Sequence, residues 1–241
     1  MQNSLISKLI GFLLLYPISV NSALSQNIDN QFISNQLEAI LNKQQYELLT
    51  DLFLRNSFKQ FDKQYKIFNK NYRDATWSIK TLSNNEDNVI IDVRIRSIRE
   101  IGEQIYNLDS QQTVKMETFN NKIKSYKVLN EESILNSQNS PLVIKIISPD
   151  KVLTGEKYEM NFIIEKPLDT SLIASGMIVL KNNENKTMTI SKNQFGIKPN
   201  QSGGLFKYIQ APLEPGFQTI SAIIAHPEGI YSITKKIKVG L

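Results

Sequence analysis

Five aromatic residues set the first constraint on this chain. In the stretch FKQFDKQYKIFNKNY they fall at Phe58, Phe61, Tyr65, Phe68 and Tyr72, in steps of three, four, three and four. That spacing puts all five on one stripe of a helix, with Lys59, Asp62, Lys63, Lys66 and Lys70 on the other faces. A helix with such a stripe is not stable alone in water and must lie on something wide and apolar. The sequence after it supplies that surface, because past the polar NKNYRD break (69–74) the hydrophobic period becomes two.

Before the aromatic helix, Ile28, Phe32, Ile33, Leu37, Ile40 and Leu41 space out as an amphipathic helix, and Leu48, Leu49, Leu52 and Phe53 as a second, shorter one. After it, 76–82 alternates as a strand and 83–87 as a turn. A long run from Asn88 to Tyr106 puts Val89, Ile91, Val93 and Ile95 on one face and Asp92, Arg94 and Arg96 on the other. Gly102 in that run reads as a bulge or bend, and Asn107–Ser110 as the turn that ends it. Thr113–Phe119 returns, Asn120-Asn121 makes a two-residue turn, and Lys122–Leu129 closes the sheet.

Helices followed by a long-stranded antiparallel sheet with the hairpin Phe119-Asn120-Asn121-Lys122-Ile123 resemble the NTF2-like (SnoaL-like) superfamily, over about residues 28–135. Asn121 stands where that family prefers Gly. The resemblance implies an α+β domain, helices on a curved antiparallel sheet around a cone-shaped pocket. A cystatin-like helix-plus-sheet variant is the structural alternative.

The polar connector SQNSP (137–141) sets a domain boundary, and beyond it no helical period remains. Strands are expected at 142–147, 158–165, 175–180, 187–191, 205–210, 218–225 and 230–239, which suggests a β-sandwich. The stretches Ser148-Pro149 to Glu156 and Leu213-Glu214-Pro215-Gly216-Phe217 resemble bacterial immunoglobulin-like domains, with Phe217 where many carry Tyr.

Met1–Ser25 reads as an export signal: Lys8, an apolar core from Leu9 to Val20, then small residues at Ser22, Ala23 and Ser25. The core is shorter than the ~20 residues of a membrane span. A buried N-terminal helix and an uncleaved anchor are the alternatives. The expected organisation is thus a signal at 1–25, an NTF2-like domain at 26–137 and an immunoglobulin-like sandwich at 138–241, in a periplasmic or extracellular protein.

Charge and chemistry narrow the function. The net charge of +5 is not concentrated: residues 26–138 carry 15 basic and 15 acidic groups, and residues 139–241 carry 12 and 8. Nucleic-acid binding is not expected from so diffuse a field. There is no cysteine and one histidine, His226, placed in the turn 225–229, so no metal centre and no cofactor are expected. The glycines of Gln201-Ser202-Gly203-Gly204 lack the residues of a phosphate cradle. In the cone, the residues able to act or bind are Asp92, Tyr65, Trp77 and Tyr106, with Tyr46 and Tyr126 beside them. Asp92 sits between Arg94 and Arg96 on its own face, which favours an ion-paired carboxylate over a general base. The aromatics have the spacing of a packing stripe. The expected function is a non-catalytic envelope protein that serves as a protein-binding or assembly platform, with a protein partner or a homodimer through the N-terminal sheet. The alternative is a small-molecule-binding protein or weak enzyme that uses the cone.

Overall fold

The computed structural model describes residues 22–85, 87–138, 140, 142–165, 172–180, 195–200, 203–227 and 229–240, with side chains from residue 31 onward except Asn200. Most of the expected export signal, residues 1–21, and the strand expected at 187–191 lie outside the described residues. No described helix is long and apolar enough to cross a membrane.

Three helices come first. They are α1 (Ser22–Asn42), α2 (Leu49–Leu52), which follows a single 3-10 turn at Tyr46–Leu48, and α3 (Arg55–Asn71), which carries the aromatic stripe. A four-strand antiparallel meander follows: β1 (Thr76–Asn85), β2 (Asn88–Ile101), β3 (Gln104–Phe119) and β4 (Lys122–Ser137). The β2–β3 turn falls at Gly102-Glu103, not at 107–110. Gly102 has φ +62°, the positive value a two-residue hairpin turn requires at its first central residue. Asn120 and Asn121 make the β3–β4 turn with φ of 49° and 57°, a conformation that Asn tolerates.

The second half is all strand: β5 (Ile144–Ile147), β6 (Lys151–Val152), β7 (Lys157–Ile164), β8 (Ile173–Leu180), β9 (Lys198–Asn200), β10 (Gly204–Gln210), β11 (Gly216–His226) and β12 (Gly229–Val239). β4 does not close the first sheet at Leu129. It runs on to Ser137, and its residues 131–136 pair antiparallel with 236–231 of β12. The result is a nine-stranded sheet in the order β1-β2-β3-β4-β12-β11-β8-β9, with β6 beside β12. A separate three-stranded sheet has the order β10-β7-β5.

This topology overturns the expected NTF2-like or cystatin-like α+β fold. Strand makes up 60% of the described residues and helix 20%. The sheet does not end where such a domain would end it, but continues into the second half. The physical reason is the polar run Asn130-Glu131-Glu132-Ser133, which imitates a linker while the backbone from Glu131 onward pairs on both sides.

Buried residues form two clusters. One lies between the helices and β1–β4 and includes Ile33, Leu41, Phe53, Tyr65, Ile91 and Ile123. The other lies between the nine-stranded and three-stranded sheets, with Met160 and Phe162 from β7 facing Ile220, Ile224 and Ile233 from β11 and β12. There the Tyr231 hydroxyl donates to the Leu142 carbonyl, and the Tyr158 hydroxyl to Gln218 Oε1 at 2.8 Å.

β1 is an edge strand, and α1 covers its open side. The Asn42 amide donates to the Trp77 carbonyl and accepts the Trp77 N–H, both at 2.8 Å, as a neighbouring strand would. Glu38 accepts the Ile79 N–H at 2.6 Å, and Ser34 meets the Thr81 hydroxyl at 3.0 Å. Four residues of helix advance about 6 Å and two of strand about 6.7 Å. Polar residues at i, i+4 and i+8 of a helix can therefore keep step with alternate residues of a strand and close its edge.

Candidate functional site

The site is the pocket between α1, α3 and the inner face of β1–β4. Alternation along β2 and β3 turns Ile91, Val93, Ile95, Val114 and Met116 inward, and the aromatic stripe of α3 roofs them over. Phe61 stacks on Tyr65 at 5.7 Å between ring centres and 9° between planes. Phe68 meets Trp77 edge-on at 5.4 Å. α3 is tied down at its start, where Ser57, 5% exposed, donates to the Ile123 carbonyl at 2.6 Å. The rings do not fill the space, and a pocket of about 240 Å³ remains.

Its lining is apolar apart from a few neutral groups. The Tyr126 hydroxyl donates to Gln64 Oε1 at 2.8 Å, joining β4 to α3. Gln112 of β3 also lines the pocket, and its amide has no hydrogen-bond partner among the described residues. Burial pushes the Tyr126 phenol up to about 12. Burial also raises the Tyr65 phenol, with the Tyr46 phenol beside it adding to the effect. Both stay protonated at neutral pH, so neither is a base. The Tyr46 hydroxyl is buried without a geometrically sound hydrogen bond.

The structure separates the four residues singled out from sequence. Tyr65 and Trp77 line the pocket together, 6.3 Å apart. Asp92 lies on the opposite face of β2, where it accepts a hydrogen bond from Gln111 at 3.1 Å. Arg94 and Arg96 pair instead with Asp109 of β3, at 3.1 and 3.3 Å. Tyr106 stands near the β2–β3 turn, paired with Arg99 and Ser137, and does not line the pocket. Gln112 was missed by sequence reasoning. The available signal was its place in the inward series Gln112, Val114, Met116, where a polar residue interrupts an apolar face. His226 ends β11 and pairs with Gly229 across the last turn. Among the described residues no three His, Cys, Asp or Glu side chains gather in a way that could hold a metal ion.

A family described as a domain of unknown function (DUF8623) matches residues 139–240. This takes the place of the expected immunoglobulin-like assignment, just as the topology displaces the NTF2-like one. No curated protein matches. Among solved structures, the chain is similar to the PmoD soluble domain from Methylocystis sp. ATCC 49242 (Rockwell). That likeness has 12% identity and a TM-score of 0.29, and covers 59% of this chain and 96% of the other. A likeness at that score carries no argument about fold or function.

Proposed function

We propose that this is an exported, non-catalytic envelope protein that works by engaging a protein partner, with residues 26–137 and 138–241 as its two structural units. The observation behind this reading is the end of the β2–β3 hairpin. Pairing of β1 with β2 stops at Arg96, and pairing of β4 with β3 stops at Tyr106. The hairpin therefore projects past both neighbours, and Ile98, Ile101 and Ile105 on it are 53%, 46% and 38% exposed. By the alternation of the strands Ile98 and Ile105 stand on one face of the projecting tip and Ile101 on the other, so the tip offers exposed apolar groups to a partner that clasps it from both sides. The pocket favours binding over catalysis as well, since no carboxylate, lysine, arginine or histidine lines it. Export rests on the reading of residues 1–25.

The experiment is a pull-down from envelope extract with the mature chain, with Ile101→Lys/Ile105→Lys, and with a form lacking residues 140–241. A partner captured by the native chain and lost with the double variant supports the reading. Equal capture by both overturns it. Self-association by light scattering, abolished by the same variant, would identify the partner as a second copy.

A further inference from the structure

We propose that the helix–sheet pocket binds a small, neutral, largely apolar molecule that carries one hydrogen-bonding group, and that Gln112 recognises that group. This site is independent of the hairpin contact proposed above.

Size sets the first limit. The pocket's volume of about 240 Å³ lies just under the ~300–1,000 Å³ of sites for drug-sized ligands. A compact ring system fits, whereas a peptide helix or a pair of acyl chains does not. Charge sets the second. No ionisable group lines the pocket except the tyrosines, which stay neutral. An ion entering it loses its hydration and meets no counter-charge, which excludes charged ligands.

Gln112 gives the positive half of the argument. It stands at an inward position of β3, opposite Val93 of β2, in the same series as the buried Val114 and Met116. Packing alone would favour an aliphatic side chain there. The amide offers two donors and an acceptor, and no described residue uses them. The pocket's other amide, Gln64, is already engaged by Tyr126. An unengaged amide is therefore left on the sheet floor of a largely apolar pocket, the pattern of a ligand site that takes its affinity from apolar contact and its orientation from a few polar groups.

Trp77 is the only tryptophan in the chain and lines the pocket, so its emission reports occupancy directly. The probes are cyclooctanone, cyclooctane and cyclooctylammonium, which share one ring and differ in the polar group, titrated into the mature full-length chain. Cyclooctanone should perturb Trp77 and bind about tenfold tighter than cyclooctane, the worth of one hydrogen bond to a buried amide. Cyclooctylammonium should bind on the order of a hundredfold more weakly than the ketone. Gln112→Leu should remove the preference for the ketone and keep hydrocarbon binding. Val114→Phe, which fills the pocket, should abolish binding of every probe, and serves as the test if Gln112→Leu does not fold. The Ile101→Lys/Ile105→Lys variant should bind all three as the native chain does. Three results overturn the proposal: no response of Trp77 up to millimolar ketone, ammonium binding equal to ketone binding, or a ketone preference that survives Gln112→Leu.

Discussion

Val128 and Ile134 lie on the same strand and pack into different cores on opposite faces of the sheet. Both are even-numbered, and in a regular strand they would share a face. The register explains the reversal. Val114 pairs with Val128, while its neighbour Thr113 pairs with Asn130, so Leu129 is an extra residue in β4. That bulge turns the even-numbered side chains from the helix side to the side where Ile233 lies. One continuous sheet thus serves two cores. Inserting one residue after Leu129 should shift the second half of β4 by one and present Glu131 and Ser133 to the C-terminal core in place of Ile134. Deleting Leu129 should instead keep Val128 opposite Val114 and Asn130 opposite Thr113, with Ile134 on its native side. Loss of cooperative thermal unfolding is expected for the insertion, against a change of about 1 kcal/mol for the deletion. An insertion variant that melts like the native chain would show that residue count at the bulge does not set the faces.

At the seam beside this reversal, Lys235 is 6% exposed and holds two carboxylates, Glu132 at 3.1 Å and Asp150 at 2.9 Å. Burial pulls the ammonium down, but the bonds to Asp150 and Glu132 outweigh it and leave it above its ordinary value. Lys235 in turn holds Asp150 below its ordinary value. Glu132→Gln with Asp150→Asn would leave a buried ammonium without a counter-charge and should cost about 3–5 kcal/mol, whereas Lys235→Met should fall within about 1 kcal/mol of native. The carboxylates are 42% and 70% exposed, so water can serve them when the lysine is gone. Because the Asp150 value is lowered on folding, its contribution is complete above the ordinary carboxylate range and lost as pH falls through the lowered value. Lys235 has the opposite sign, and its contribution goes only in alkali, as pH rises through the raised value. Chemical denaturation from pH 7 to pH 2 should show the stability of native relative to Lys235→Met falling in the acid limb. Parallel curves would refute the coupling.

The covered edge of β1 gives a test of a different kind. Asn42→Leu keeps the helix but removes the group that serves both backbone atoms of Trp77. The contact is solvent-exposed, so water replaces it and the loss of stability should be only about 0.5–1.5 kcal/mol. The larger effect should be on association, since an uncovered edge strand is a template for pairing. Asn42→Leu combined with Glu38→Ala should raise the fraction of dimer and larger species in light scattering. A monomeric double variant would mean that α1 shields the edge by bulk and not through these side chains.

What the sequence disclosed follows from what its side chains repeat. The aromatic stripe predicted a helix at 58–72 and α3 spans Arg55–Asn71, because a period held over four turns is hard to imitate. The last two strands were expected at 218–225 and 230–239 and lie at 216–226 and 229–239, since apolar residues recur at every second place in Ile220, Ala222, Ile224 and in Tyr231, Ile233, Ile237, Val239, with Lys235 the one interruption of the second series. The second half of β4 was invisible because its side chains are polar for a reason found 100 residues away, in Lys235. The β2–β3 turn was misplaced because Gly102 also suits a bulge, and nothing local separates the two readings. Within the pocket, Tyr65 and Trp77 were legible from the stripe and the strand after it. Gln112 was not, because one amide in a strand reads as a surface residue until the opposite face is known.

The aromatic helix and Asp92 separate packing from chemistry. Phe53 is 4% exposed and touches Phe61 at 4.8 Å between ring centres, so Phe53→Ala should cost about 3–5 kcal/mol. That is a large share of the ~5–15 kcal/mol that holds a domain together. Phe61 and Phe68 are only partly buried beside the pocket, where truncation enlarges a space that already exists. Each should cost less than Phe53→Ala, about 1–3 kcal/mol. Asp92→Asn replaces one acceptor for Gln111 with another on the outer face and should stay within about 0.5 kcal/mol of native. Urea denaturation of the four variants should therefore rank Phe53→Ala lowest, the two partly buried positions between, and Asp92→Asn beside the native chain. Partner capture should follow the same order, because on the binding reading Asp92 acts in nothing beyond its hydrogen bond to Gln111. An Asp92→Asn protein that is fully stable yet loses a measured activity would overturn the non-catalytic reading, since no packing effect could account for it.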